Sequence, residues 1–360
     1  MLKDLLQKKT PQILGLDIGT RYVKAVLLSM TNGVCHVQGF ACEPIVGNAF
    51  VDREIKNFDA VSNALRKVKM ALKIKSKDVA VAVSGSTVIT KVAFMDPDQT
   101  DIEMESQIEI EADSLIPYPL DEVYIDFEEL GPSTMHEGKV DVLLSAAHRD
   151  MVDSRVTLLR EVQFEPKVVD IEGYALGNAV NQFATFDTNT DGKSLPLCCI
   201  SVGNSQLLIS VVEDGQVIYA KEHNFGMDVL LQDLAIMNTL DKVEAEQQML
   251  NNELPVTWKE DVLPQFISNL SQQIGRAIQM YVATSRKEQP KRILIAGGGA
   301  CLDNIATELA ADLAIEVETF NPFSHMQISE QIAAQGLEKI APQLAIAAGL
   351  ASRGFTPWHI

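Results

Sequence analysis

The chain carries one layout twice. Residues 13–39, ILGLDIGTRYVKAVLLSMTNGVCHVQG, and residues 197–223, LCCISVGNSQLLISVVEDGQVIYAKEH, share a plan. In each, a short apolar run ends at a glycine followed by a small polar residue, and a second apolar run follows. A turn dipeptide, Asn32-Gly33 or Asp214-Gly215, then leads into a third run, as two-residue hairpins favour. In this register Gly19 matches Gly203, Thr20 matches Asn204, and Asp17 matches Ser201. Such a chain is expected to form two hairpin-led lobes that face each other across a cleft. Duplication alone fits any tandem-domain protein, so the turn residues must carry the functional argument.

Asp17 is a carboxylate inside an apolar strand, two residues before the glycine of the turn. Two readings are open. It caps its own turn, or it faces a hydrated divalent cation that bridges it to phosphates. In the second reading, backbone N–H groups from both turns cradle the phosphates. A third glycine element, RILIAGGGACLDNIATELAADL at 292–313, runs from a strand through Gly297, Gly298 and Gly299 into a helix expected from about Leu302. It is either a tight turn or a close approach of backbone to ligand. No Walker A sequence and no G-x-G-x-x-G is present.

Between the repeats, Val61, Leu65, Val68 and Leu72 fall on one face and predict a helix over 59–73. VAVAVSG at 79–85 reads as a buried strand. From Asp96 to Glu129 there are thirteen acids and no Lys or Arg. This stretch predicts a helix in IEMESQIEIEADSL, a break at IPYPLDEV and a strand in YIDFEEL; VDVLLSAAH at 140–148 adds another. Residues 86–148 therefore read as a small α+β module. Its acid run is either a solvated face or a partner surface. Helix 150–163, strand 166–171, helix 172–183 and a polar linker or loop at 187–194 follow.

The chain's 360 residues suit roughly two to three domains. A formal charge of −19, from 49 acids against 30 bases, argues against a general nucleic-acid or anionic-membrane binder. Five cysteines without a C-x-x-C pair fit a reducing compartment. The N-terminus MLKDLLQKKTPQ is too polar for a secretory signal. No apolar run approaches the ~18 residues of a membrane span. The expectation is a cytoplasmic protein.

Several of these segments are similar to a known family. GLDIGTRYVKAVLLS resembles the first phosphate loop of the actin-like ATPase superfamily, SVGNSQLLIS the second, and ILIAGGGACLDN the adenosine loop. PQLAIAAGLASRG at 342–354 resembles its second inter-lobe helix. Within the superfamily, EADSLIPYPLDEVYIDFEEL, VVDIEGYALGNAV and ISNLSQQIGRAIQMYVATS resemble the type IV pilus assembly PilM family. The resemblance implies an α/β, two-lobed actin-like (ribonuclease H-like) fold with an inserted α+β subdomain 1C, as in FtsA. Residues 1–85 and 149–190 would form the first lobe (1A), and 86–148 subdomain 1C. Residues 191–338 would form the second lobe (2A/2B), and 339–360 a C-terminal helix returning to the first.

It also implies ATP and Mg2+ in the cleft and a scaffolding role at the inner face of the inner membrane. The implied partners are the cytoplasmic N-terminal segment of PilN, held between 1A and 1C, and other inner-membrane components of the pilus. By resemblance, Asp17, Gly19, Thr20 and Lys24 belong to the first phosphate loop, with Asp17 holding metal through water. Gly203 and Asn204 serve the second loop, Gly226 in the loop NFGMD the nucleotide, Glu246 the ribose, and Gly297, Gly298 and Gly299 the adenosine. Glu172 positions the attacking water, or is a helix N-terminal carboxylate favoured by the dipole. Ile116, Tyr118 and Leu120 are groove candidates, or core of the module.

Three residues depart from the family pattern: Ser201 replaces a usual Asp, Met227 a second glycine, and Met249 a usual Lys. Losing a carboxylate from a metal shell weakens water activation, so binding should survive better than hydrolysis. Two other functions share this fold. A sugar or acetate kinase-like phosphotransferase needs a base beyond Glu172. An FtsA-like polymerising ATPase needs a C-terminal membrane tether, and here GFTPWHI follows the last expected helix directly.

Overall fold

The duplication in the sequence is a duplication of sheets. In the structure, a computed structural model that describes residues 12–51, 53–73, 77–133, 135–190 and 192–355, each repeat forms an antiparallel meander. The first comprises Leu14–Ile18, Tyr22–Thr31 and Val34–Pro44; the second, Leu197–Val202, Leu207–Glu213 and Gln216–His223. Beyond its leading strand each meander continues into two parallel strands. These are Asp78–Val83 and Glu165–Ile171 in one lobe, and Arg292–Ala296 and Glu316–Thr319 in the other. The leading strands are covered on both faces, which is why they read as continuous apolar runs.

Two helices exchange between the lobes. Glu172–Phe183 follows the outer strand of the first sheet and packs on the second lobe's meander. Ala345–Ser352 leaves the second lobe and packs on the first two strands of the first sheet. The two helices cross where Gly349 meets the backbone of Ala175 and Ala179. Gly15 likewise lies against Ala347 and Ala351. The resulting core draws Val26 and Ala82 from one lobe, and Leu208 and Val212 from the other.

The outer faces carry amphipathic helices. Phe58–Leu72 buries Val61, Ala64, Leu65 and Val68; Asn57 caps its start by accepting from the Ala60 N–H. Leu263–Ser285 covers the second sheet with Phe266, Leu270, Ile274 and Ile278.

Residues 88–148 build a separate three-stranded antiparallel sheet from Val88–Met95, Val123–Pro132 and a central Val140–His148. Helix Asp101–Leu115 starts in a capping box of Thr100 and Glu103. Its Met104, Ile108 and Ala112 pack on Ala93, Met95, Val142 and Leu144. Ile116 is 4% exposed within this core, and Tyr118 and Leu120 pack against it. The module is braced on the second lobe, where Gln216 donates to the Leu130 carbonyl at 2.7 Å, and just before the module the Gly85 N–H donates to Glu222 at 3.0 Å.

One local expectation changes, and a second is made more definite. After the three glycines, the chain first makes a 3-10 turn, Gly298–Cys301, and the helix starts at Ile305 because left-handed Asn304 resets the backbone. The polar segment 187–194 closes on itself through a Thr188–Ser194 bridge. Nearly all of MLKDLLQKKTPQ and most of GFTPWHI lie outside the described residues. Among the described residues no helix is long and apolar enough to cross a membrane.

Candidate functional site

The two glycine turns are built alike and meet. The Gly19 N–H donates to the Tyr22 carbonyl at 3.0 Å, and the Gly203 N–H to the Gln206 carbonyl at 2.8 Å. The same three-residue reversal thus ends both leading strands. Thr20 Oγ1 lies 3.3 Å from Ser205 Oγ and accepts from Asn204 Nδ2 at 3.4 Å, so the turns touch across the lobes. The third glycine element completes the walls. Gly297 sits at φ +81°, where a side chain would meet the Val202 backbone and Ser201 Oγ, and its N–H donates to the Pro342 carbonyl at 2.8 Å.

These elements enclose a cleft of about 350 Å³. Asp17, Gly19, Thr20 and Lys24 line it from the first turn, and Gly203 and Asn204 from the second. Glu172, Glu246, Gly297 and Gly298 also line it, as do the departures Ser201, Met227 and Met249. Gly226 and Gly299 stand behind the wall. A side chain at 226 would strike the carbonyls of Gly203 and Asn204, and Gly299 packs on Val202 and Met227.

Asp17 is 3% exposed, and its carboxylate pairs with Lys24 at 2.5 Å. The two residues are cross-strand partners in the first hairpin. The partner is therefore a lysine, which separates this carboxylate from an ordinary turn cap. Burial pushes the Asp17 carboxyl up, and the Lys24 ammonium works against that rise. Burial also disfavours charge on Lys24, but Asp17 outweighs it and holds the ammonium above its usual range.

Glu172, 4% exposed at its helix start, is held on both oxygens. Arg53 donates to Oε1 at 2.6 Å and Gln206 Nε2 to Oε2 at 2.7 Å. Arg53 also bonds the buried hydroxyl of Ser84. Across the cleft, Glu246 on helix Lys242–Leu250 accepts from the Tyr22 hydroxyl at 3.0 Å and pairs with Arg21. Burial and the Glu246 charge raise the Tyr22 phenol well above its ordinary value.

Sequence reasoning missed Arg21, Tyr22, Arg53, Gln206 and Gln343. Two signals were present: Arg21 and Tyr22 directly follow Thr20, and Gln206 is the repeat partner of Tyr22. Gln343 sits between thiols, accepting from Cys42 at 3.8 Å and donating to Cys301 at 3.6 Å.

Against known proteins, residues 15–355 match the family model described as type IV pilus assembly protein PilM. A solved PilM-PilN type IV pilus biogenesis complex matches with a TM-score of 0.81 at 21% identity, covering 97% of this chain and 100% of that one. Ethanolamine utilization protein EutJ from Carboxydothermus hydrogenoformans matches at 0.54 and 14% identity, covering 95% and 89%. At these identities the structures speak for the fold, which is the two-lobed actin-like α/β fold. With the family match spanning both lobes, the insert and the cleft, this chain belongs to the type IV pilus assembly protein PilM family.

Proposed function

We propose that this chain is a nucleotide-loaded cytoplasmic scaffold of the type IV pilus inner-membrane complex. It holds ATP in the cleft and the N-terminal cytoplasmic segment of PilN against the inserted module, and through PilN it meets the other inner-membrane components. The observation that carries the nucleotide half is the meeting of two matched turns, with the Gly297 loop, around one cleft.

The residues present fit a hydrated magnesium ion. Among the described residues no group of three His, Cys, Asp or Glu forms a direct chelate. The Asp17 carboxylate offers the hard oxygen that such an ion takes through water. Bound there, the ion would neutralise phosphate charge. Lys24 would supply a positive charge beside the phosphates, and Glu246 would face the sugar. Ser201 contributes no charge, and Glu172 is committed to Arg53 and Gln206. Hydrolysis should therefore be slow. Phosphate release is expected below about 0.01 s⁻¹, two decades under the ~1 s⁻¹ foot of kinase turnover. A rate of ~1 s⁻¹ or more would show that the cleft is an active catalyst.

The partner half rests on the matched complex, whose named components are PilM and PilN, and on the insert's open sheet face. Ile116 lies in the module's core, and Tyr118 and Leu120 pack on that side. The opposite face carries Val92 and Phe94, 45% and 40% exposed, with Asp126 and Glu128 on the same sheet. It approaches the first lobe where Tyr174 bonds Thr90. An apolar strip with acids beside it suits a tail of mixed apolar and basic residues. In calorimetry with a PilN N-terminal peptide, Phe94→Ser should weaken binding about tenfold, from ~1.4 kcal/mol of lost burial. Binding should also weaken with added salt. Unchanged affinity in Phe94→Ser would remove this face from the interface.

A further inference from the structure

Half of the Gln206 side chain has a partner. Its amide nitrogen donates to Glu172 Oε2 at 2.7 Å. An ionised carboxylate only accepts, so this contact fixes which way the amide faces. The nitrogen is turned to Glu172, and the oxygen occupies the other branch. Gln206 is 5% exposed, and its Oε1 is buried with no hydrogen-bond partner. Buried polar atoms are rarely left unpaired, because they give up water and gain nothing in return.

The place of Gln206 in the cleft wall gives this oxygen a use. Gln206 lines the cleft together with Asp17, Lys24 and Ser201. The repeat register sets Ser201 opposite in role to Asp17, so the second lobe lacks a carboxylate at its strand end. Gln206 stands five residues further on, in the same turn, and presents a neutral oxygen. Amide carbonyls are hard donors that accept well from cation-bound water.

We propose that Gln206 Oε1 accepts a hydrogen bond from a water of a divalent cation that accompanies the nucleotide. It would supply from the second lobe the hold that Asp17 supplies from the first. Gln206 is thus a positioning residue for the metal, and its nitrogen braces Glu172 at the same time. The inference rests on the nucleotide reading above and adds which residue makes binding depend on metal.

The test compares affinities for a non-hydrolysable ATP analogue with magnesium and with a chelator, by calorimetry. Wild type should bind the magnesium complex at least about tenfold tighter than the metal-free form. Gln206→Met should lose most of that ratio while its metal-free affinity stays within about twofold. Adding Ser201→Asp to Gln206→Met should restore the ratio, because the new carboxylate accepts from the same hydration shell. Manganese in place of magnesium gives a second readout, its bound fraction followed by electron paramagnetic resonance. Should Gln206→Met fail to fold, Gln206→Leu, which likewise removes the amide oxygen, is read in the same way.

A variant that keeps the full magnesium ratio overturns the proposal. So does equal weakening with and without metal, which would leave Gln206 only bracing Glu172. If wild type binds the analogue in neither condition, the nucleotide reading fails and this inference falls with it.

Discussion

Gly349→Val is expected to cost about 3–5 kcal/mol, at the upper end of single-substitution effects. A Cβ there would lie 2.9 Å from the Ala175 carbonyl carbon and 3.0 Å from the Ala179 nitrogen. Both are backbone atoms of the crossing helix, so no side-chain rotation relieves the clash. The two inter-lobe helices must part, and the shared core of Leu176, Val180, Ala347 and Leu350 parts with them. Urea unfolding measures the loss. Gly275→Ala is the control, since nothing lies within 4 Å of its Cβ in the middle of helix Leu263–Ser285. That change should stabilise by about 0.5–1 kcal/mol through helix propensity and a less flexible unfolded chain. A Gly349→Val protein as stable as wild type would mean that the crossing is looser than described.

Asp17→Ala is the second large effect. It removes the partner of a lysine whose side chain is 18% exposed and leaves that charge without compensation. Breaking a buried pair from one side costs about 3–5 kcal/mol, less here by whatever water still reaches Lys24. Removing both charges, as in Asp17→Ala with Lys24→Met, should recover most of the loss, because the pair's desolvation cost goes with it. Equilibrium unfolding of the two singles and the double gives the cycle. If Asp17→Ala is no less stable than wild type, the pair is not what fixes this carboxylate in an apolar strand.

The sequence made the repeat and its turns readable because both depend on local pattern. Alternating apolar runs, Asn32-Gly33, Asp214-Gly215 and the glycines at 19 and 203 specify hairpins within about thirty residues. They led correctly to two lobes of one plan with a cleft between them, and the structure adds that the two sheets share one strand order. Asp17 announced itself as a charge among apolar neighbours. Arg53 did not. It sits in a loop without periodicity and meets Glu172, 119 positions away, only after the first lobe has closed. Tyr22 looked like one more strand residue until its hydroxyl was found on Glu246, 224 positions away. Ile116, Tyr118 and Leu120 look adhesive in the sequence; Ile116 is buried in the module's core, and Tyr118 and Leu120 stay half-buried at its edge. Whether such a loop residue is covered depends on tertiary packing, which local sequence pattern leaves open.

In the proposed function, the meeting of the first and second glycine turns is the seat for nucleotide phosphates. Calorimetric titration of the purified chain with ATP and magnesium tests this most directly. It should show one ATP per chain, with adenosine binding far more weakly because it carries nothing for the turns to hold. No detectable binding of ATP, or equal binding of adenosine, would contradict it.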